Sequence, residues 1–232
     1  ALSAARRALV EVWQFLSFRN TFGKNAARHA LVRDKLWELG SLHVANFYLT
    51  WRAIEALDKS ETGNTSESSL LRLLTPMLKK WSAETGVYIV RESMELMGGM
   101  GYIEDTVMPK IMRDVMVLPI WEGAGNIMIL DMMRAAMKSD GLKVMCEEIR
   151  SIFQAGSHEF NKLEMHLEDV YSSLSELPKH SQDEAEFKAK RYFAKLTTLY
   201  QIAILVKNRD EVSYEWIDPA VDYLRRKFLG LP

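Results

Sequence analysis

Glu95-Leu96-Met97-Gly98-Gly99-Met100-Gly101-Tyr102-Ile103-Glu104-Asp105 follows a long helical pattern and ends it. Glycine costs about 1 kcal/mol relative to alanine inside a helix. Three within four positions therefore stop the helix and bare the backbone for a close approach. A second glycine cluster lies downstream in Trp121-Glu122-Gly123-Ala124-Gly125-Asn126-Ile127. It sets a carboxylate on a turn, beside an aromatic ring and ahead of another helical pattern. That arrangement marks Glu122 as a candidate buried general base.

Apolar residues recur at helical spacing almost everywhere in the chain. Leu9, Val12, Trp13 and Leu16 give a first helix from Leu2 to about Asn20, interrupted by Gly23. Leu36, Leu39, Val44, Phe47 and Ile54 give a second, from about Arg28 to Leu57. Residues 60–69 are polar and contain Gly63 and Asn64, which predicts a loop. Pro76 suits the first turn of a third helix running to Gly98. Pro109 opens a short fourth segment, and a fifth follows Gly125. Ser139-Asp140-Gly141 is the best boundary, dividing residues 1–138 from residues 139–232. Beyond it, helices are expected near Leu142–Gln154, Glu159–Leu177, Gln182–Asn208 and Pro219–Leu229. No strand and no internal repeat is evident. The expected fold is all-α: an antiparallel four-helix bundle followed by a smaller helical appendage.

Composition narrows the classes. The 232 residues are 48% apolar and 26% charged with a net charge of -1, as in ordinary globular proteins. Cys146 is the single cysteine, which excludes an internal disulfide framework and a cysteine-rich metal site. None of the histidines reads as a metal ligand: His158 and His166 are two helical turns apart, too far for one ion. No apolar run is long enough to span a membrane, and the first residues lack a signal-peptide core. The default setting is the cytoplasm. The methionines, many of them between Met94 and Met137, suit a soft helical core.

Glu95, Gly98, Gly99, Gly101, Tyr102, Asp105, Lys110 and Asp114 together resemble the signature of the acyl-CoA dehydrogenases. Arg19, Phe22, Gly23 and Lys24 resemble the turn that ends the first helix of that family's C-terminal domain. Trp121-Glu122-Gly123 with Gly125 and Asn126 is similar to the form found in the AidB-like branch, which also carries extra C-terminal helices. The motifs cover about residues 1 to 138. The resemblance implies a C-terminal helical domain of an FAD-dependent oxidoreductase that desaturates an acyl-CoA between its α and β carbons. It also implies that the N-terminal helical and middle β domains lie outside this chain, which is then a piece of a longer flavoprotein. The alternative is a non-catalytic oligomerisation or binding module.

Residue by residue, the resemblance places Glu122 at the catalytic base. Its chemistry needs a carboxylate raised by burial and an apolar neighbour, a part that suits Trp121. Arg19 falls where a guanidinium meets the flavin pyrophosphate; its other reading is a cap on the first helix. Phe22 falls beside the adenine, or else in the core. Glu95, Gly98 and Gly99 fall near the adenosine, with Ala124 and Asn126 also facing cofactor and Gly123 facing substrate. Glu95 stands where many members carry glutamine, so two N–H donors are lost. Ala124 and Asn126 replace a common hydroxyl and glutamine. Arg113 and Asp114 are expected to pair and orient the Glu122 loop.

The resemblance further implies an electron-transfer flavoprotein as partner and a homodimer or homotetramer. Trp37, Phe47, Tyr48, Trp51 and Trp81 exceed what one stripe per helix needs, so a second face is buried either by another copy or by residues 142–229. After Ser139 there are sixteen carboxylates against thirteen cations. That balance argues against a nucleic-acid surface.

Overall fold

The computed structural model describes residues 1–156, 160–210 and 213–230. The chain forms α1 (Leu2–Phe18), α2 (Ala30–Glu61), α3 (Thr65–Met97), α4 (Gly99–Tyr102), α5 (Met108–Met116) and α6 (Gly125–Lys138). It continues as α7 (Gly141–Ala155), α8 (Asn161–Ser175), α9 (Gln182–Lys207) and α10 (Tyr214–Leu229). The all-α expectation holds. His158 and the expected helix start at Glu159 lie outside the described residues.

Several local expectations need correction. Residues 60–69 are not a loop: α2 runs to Glu61 and α3 begins at Thr65. Asn64 caps α3, its side chain accepting from the Glu67 N–H at 3.1 Å, and Glu67 adds a first-turn acid. Pro76 consequently lies inside α3, where its missing N–H and ring clash cost about 3 kcal/mol. Burial of Leu70, Leu73, Leu74, Pro76 and Met77 on the same stretch offsets that cost. Finally, a two-residue antiparallel ladder, β1 (Asn20–Thr21) with β2 (Lys24–Asn25), follows α1. Its central residues Phe22 and Gly23 have φ of 49° and 79°, as a tight hairpin turn requires.

α2 and α3, 32 and 33 residues long, run back to back through a three-residue turn. α3 also packs against α1, α5, α6 and α7, while α9 packs against α2, α6, α7, α8 and α10. One buried cluster is continuous across Ser139–Asp140. It joins Leu39, Leu49, Leu73 and Met77 to Phe193, Leu196, Tyr200 and Ile204. A smaller cluster under α1 contains Val12, Leu16, Val90, Met108 and Val115.

Buried Arg52 on α2 stitches the two halves. Its guanidinium donates to Glu67 on α3 at 2.9 and 3.0 Å and to Glu148 on α7 at 3.1 Å. Glu148 also accepts from the Tyr200 hydroxyl at 2.7 Å and pairs with Lys207 at 3.1 Å, both on α9. α10 covers Trp37, whose indole N–H donates to the Pro219 carbonyl at 3.2 Å. Pro219 itself lies within α10, not at its start.

Candidate functional site

The hairpin after α1 and the end of α3 enclose one groove. Arg19, Thr21, Phe22, His29, Glu95 and Gly98 are among its lining residues, and its volume is about 440 Å³. Arg19 is the C-cap of α1 through its backbone, whose N–H donates to the Phe15 carbonyl at 3.2 Å. Its exposed guanidinium lies 5.2 Å over the Phe15 ring and has no carboxylate partner among the described residues. Phe22 is 98% exposed at the hairpin tip, so the core reading fails. The hairpin is pinned from below: the Asn25 amide donates to the Ser17 carbonyl at 2.8 Å, and the His29 Nε2 lies 3.1 Å from both the Thr21 carbonyl and its hydroxyl.

At the other wall Gly98 takes φ +61°, and a Cβ added at Gly98 or Gly99 would meet nothing within 4 Å. The bare backbone there faces open space. Gly101 is different: its Cβ would sit 2.3 Å from the Met94 carbonyl oxygen. That glycine serves the packing of α4 on α3, not a ligand. Glu95 is exposed and pairs with Arg91 at 3.0 Å. A free guanidinium, an uncovered phenyl ring and bare backbone fit a ligand that combines phosphate oxygens with a flat aromatic ring.

Glu122, Gly123, Ala124 and Asn126 do not line this groove; the first three form a separate loop between α5 and α6, and Asn126 lies in the first turn of α6. Glu122 has φ +54° and Gly123 φ +106°. A left-handed non-glycine residue costs about 1–3 kcal/mol and persists only where neighbours impose it. The neighbour is Lys79 on α3. Its ammonium donates to the carbonyls of Leu118 at 3.0 Å, Trp121 at 2.9 Å and Gly123 at 2.6 Å. Hydrogen bonds to a charged group contribute about 1.5–3 kcal/mol each, enough to offset the strained turn. The next residues along α3 seat the other end of the loop. A Cβ on Gly125 would lie 2.8 Å from Glu84 Oε1 and 3.2 Å from Lys80 Nζ, and Lys80 and Glu84 form an ion pair. Ala124 stands at the N-cap of α6 with no side-chain acceptor for the first-turn N–H groups.

Two expectations about this loop are overturned. Glu122 and Trp121 are exposed, so no burial of the carboxylate arises within this chain. The contacts that hold the loop come from α3, through Lys79, and leave the Glu122 side chain exposed. Arg113 and Asp114 do not hold it either. Arg113 binds Glu104 at 2.7 Å, and Asp114 pairs with Lys110 one turn away. Lys79, Lys80 and Glu84 escaped the sequence reading because nothing local to them points to a loop some forty residues downstream. Among the described residues no group of His, Cys, Asp and Glu gathers as a metal site.

The family model of the acyl-CoA dehydrogenase C-terminal domain matches residues 1–137. The chain belongs to the acyl-CoA dehydrogenase family. Acyl-CoA dehydrogenase family member 11 of Caenorhabditis elegans is 32% identical over 182 residues, covering 77% of this chain and 30% of that protein. AidB of Escherichia coli is 33% identical over 130 residues, covering 56% of this chain and 24% of AidB. The crystal structure of Caenorhabditis elegans ACDH-11 in complex with C11-CoA superposes with a TM-score of 0.83 at 27% identity. It covers 97% of this chain and 41% of ACDH-11, so the helices after Ser139 share its fold. The chain spans less than half the length of each of these acyl-CoA dehydrogenase relatives.

Proposed function

We propose that this chain supplies the proton-abstracting carboxylate and part of the flavin-binding surface of an acyl-CoA dehydrogenase that desaturates an acyl-CoA between its α and β carbons. The observation that carries the reading is the held loop: Glu122 sits at positive φ on a turn whose carbonyls converge on Lys79. A flexible surface glutamate needs no such support.

In this reading Glu122 takes the proton from the carbon next to the thioester carbonyl. Bound FAD supplies the hydride acceptor. Gly123 offers its backbone to substrate beside the carboxylate; a Cβ there would meet the Met128 side chain. Arg19 would hold phosphate oxygens, Phe22 would pack on the adenine, and the bare backbone of Gly98 and Gly99 would admit the adenosine. Glu95 offers only acceptors there, and Ala124 and Asn126 border the cofactor at the start of α6. The carboxylate is exposed in this chain, so the apolar surroundings that favour its proton-accepting role come from substrate, cofactor and surfaces packed on the loop. An electron-transfer flavoprotein would serve as the electron acceptor of such an enzyme, whose proposed setting is the cytoplasm.

A second copy belongs to the same reading. Of the aromatics expected at an interface, Trp37, Tyr48 and Trp81 pack against the core, Trp37 beneath α10. Phe47 and Trp51 remain exposed on α2, at 41% and 54%, with Ile54 and Leu57 continuing the surface and Val10 and Trp13 exposed on α1. Residues 142–229 thus cover only part of the apolar surplus, and a homodimer or homotetramer covers the rest. The binding-module alternative rests on that surface alone.

Glu122→Gln tests the reading in a flavin-loaded protein containing this chain. The change is nearly isosteric and removes the proton acceptor. Flavin content stays normal, and bleaching of the flavin by acyl-CoA is lost. Normal bleaching by the variant places the base elsewhere.

A further inference from the structure

We infer that Lys79 is the positioning residue for the Glu122 carboxylate: its ammonium locks the left-handed Glu122–Gly123 turn before any cofactor or substrate is present. The inference rests on Glu122 being the base. A lysine ammonium has three donors, and all three are used on loop carbonyls that flank Glu122 on both sides. Carbonyls on an exposed loop are satisfied by water at no cost, so backbone satisfaction does not require a half-buried lysine. What the lysine adds is direction. Bonds to the Trp121 and Gly123 carbonyls hold the peptide plane that enters Glu122 and the one that leaves Gly123, and the Leu118 bond ties both to the chain just after α5. That arrangement sets where the carboxylate leaves the backbone. Gly125, against the Lys80–Glu84 pair, seats the far end of the loop on the same helix. α3 is therefore a rigid anvil for the loop, and the anchor lies wholly within this chain.

The first test uses the 232-residue chain and needs no flavin. Amide hydrogen exchange is followed at Ile120, Trp121 and Met128, whose N–H groups bond within the loop and the first turn of α6. Lys79→Met removes the donors and keeps the apolar stem. Exchange at these three amides rises at least tenfold, while amides in the cores of α2 and α3 are unchanged. Lys79→Cys alkylated with 2-bromoethylamine rebuilds an ammonium at lysine length and restores slow exchange. Cys146 escapes the reagent because it is buried and its thiol is pushed up to about 12. Unchanged exchange in Lys79→Met, loss of protection throughout α2 and α3, or no recovery on alkylation would each overturn the clamp.

The second test uses the flavin-loaded protein. Lys79→Met keeps its flavin but reduces it with acyl-CoA at least tenfold more slowly at saturating substrate, and aminoethylation of Lys79→Cys restores the rate. A merely structural lysine leaves that limiting rate unchanged, and such a result overturns positioning even where the loop loosens. If Glu122→Gln reduces flavin normally, the base assignment fails, and positioning fails with it. The exchange data then still decide separately whether Lys79 holds the loop.

Discussion

Replacing Arg52 with Met isolates the ion-pair network that joins the two halves of the chain. Methionine keeps the apolar stem and removes the charge, so cavity effects are small. Glu67 and Glu148, with side chains only 15% and 16% exposed, then lose their central cation. Removing one partner of a buried pair costs about 3–5 kcal/mol, because the remaining charge is left uncompensated. Lys207 at 3.1 Å and the Tyr200 hydroxyl still serve Glu148, and Lys59 lies 3.9 Å from Glu67, so the lower end applies. The expected loss at pH 7 is about 3 kcal/mol, or roughly 6–12 °C in Tm for a chain of this size. The pH dependence is diagnostic. Burial pushes the Glu148 carboxyl up, but hydrogen bonds from Arg52 and Tyr200 outweigh it and hold the group below its ordinary value of 4.5. A carboxyl depressed in the folded state contributes stability above its unfolded pKa and loses it as pH falls through the folded one. Without Arg52 the burial effect prevails, so the deficit of Arg52→Met is largest at neutral pH and shrinks toward pH 4. Urea unfolding, followed by circular dichroism and tryptophan fluorescence at pH 7 and pH 4, measures both. A loss below about 1 kcal/mol at pH 7, or one of equal size at both pH values, refutes the reasoning. We propose residues 139–232 as a second domain; separate transitions for the two halves would support that division.

Other outcomes follow from single contacts. Burial lowers His43 from 6.5 to about 4, with Arg6 adding to the effect, so acidification between those values favours the unfolded chain by up to about 1.4 kcal/mol per pH unit. His43→Leu flattens that slope in denaturation measured from pH 7 to pH 4.5. Gly101→Ala drives a Cβ into the Met94 backbone and destabilises by about 1–3 kcal/mol, read from the urea midpoint. Light scattering at micromolar concentration gives at least twice the 26.7 kDa chain mass, and Trp51→Glu lowers it. A 26.7 kDa species in the unsubstituted chain would refute self-association through that surface.

Short-range chemistry made much of the molecule legible in its residues. Helical spacing gave the all-α class, Gly98 marked the end of α3, and the spacings from Glu95 to Asp114 and from Arg19 to Lys24 pointed to the family. Those signals survive in a linear chain because propensity, capping and glycine strain act over a few residues. Even so, the polar stretch around Asn64 concealed a helix start, and Pro76 was placed at a terminus. Capping by Asn64 and burial across the following turns outweighed the local penalty. The tertiary structure alone decided which charges meet. The Lys110–Asp114 pair, four apart on one helix, is the exception; Arg113 turned to Glu104, Lys79 took the carbonyls around Glu122 and Arg52 took Glu148. Which partner wins depends on distance and burial after the helices pack, and no local pattern encodes either. The exposure of Glu122 and Phe22 was settled the same way, by which elements cover them in three dimensions.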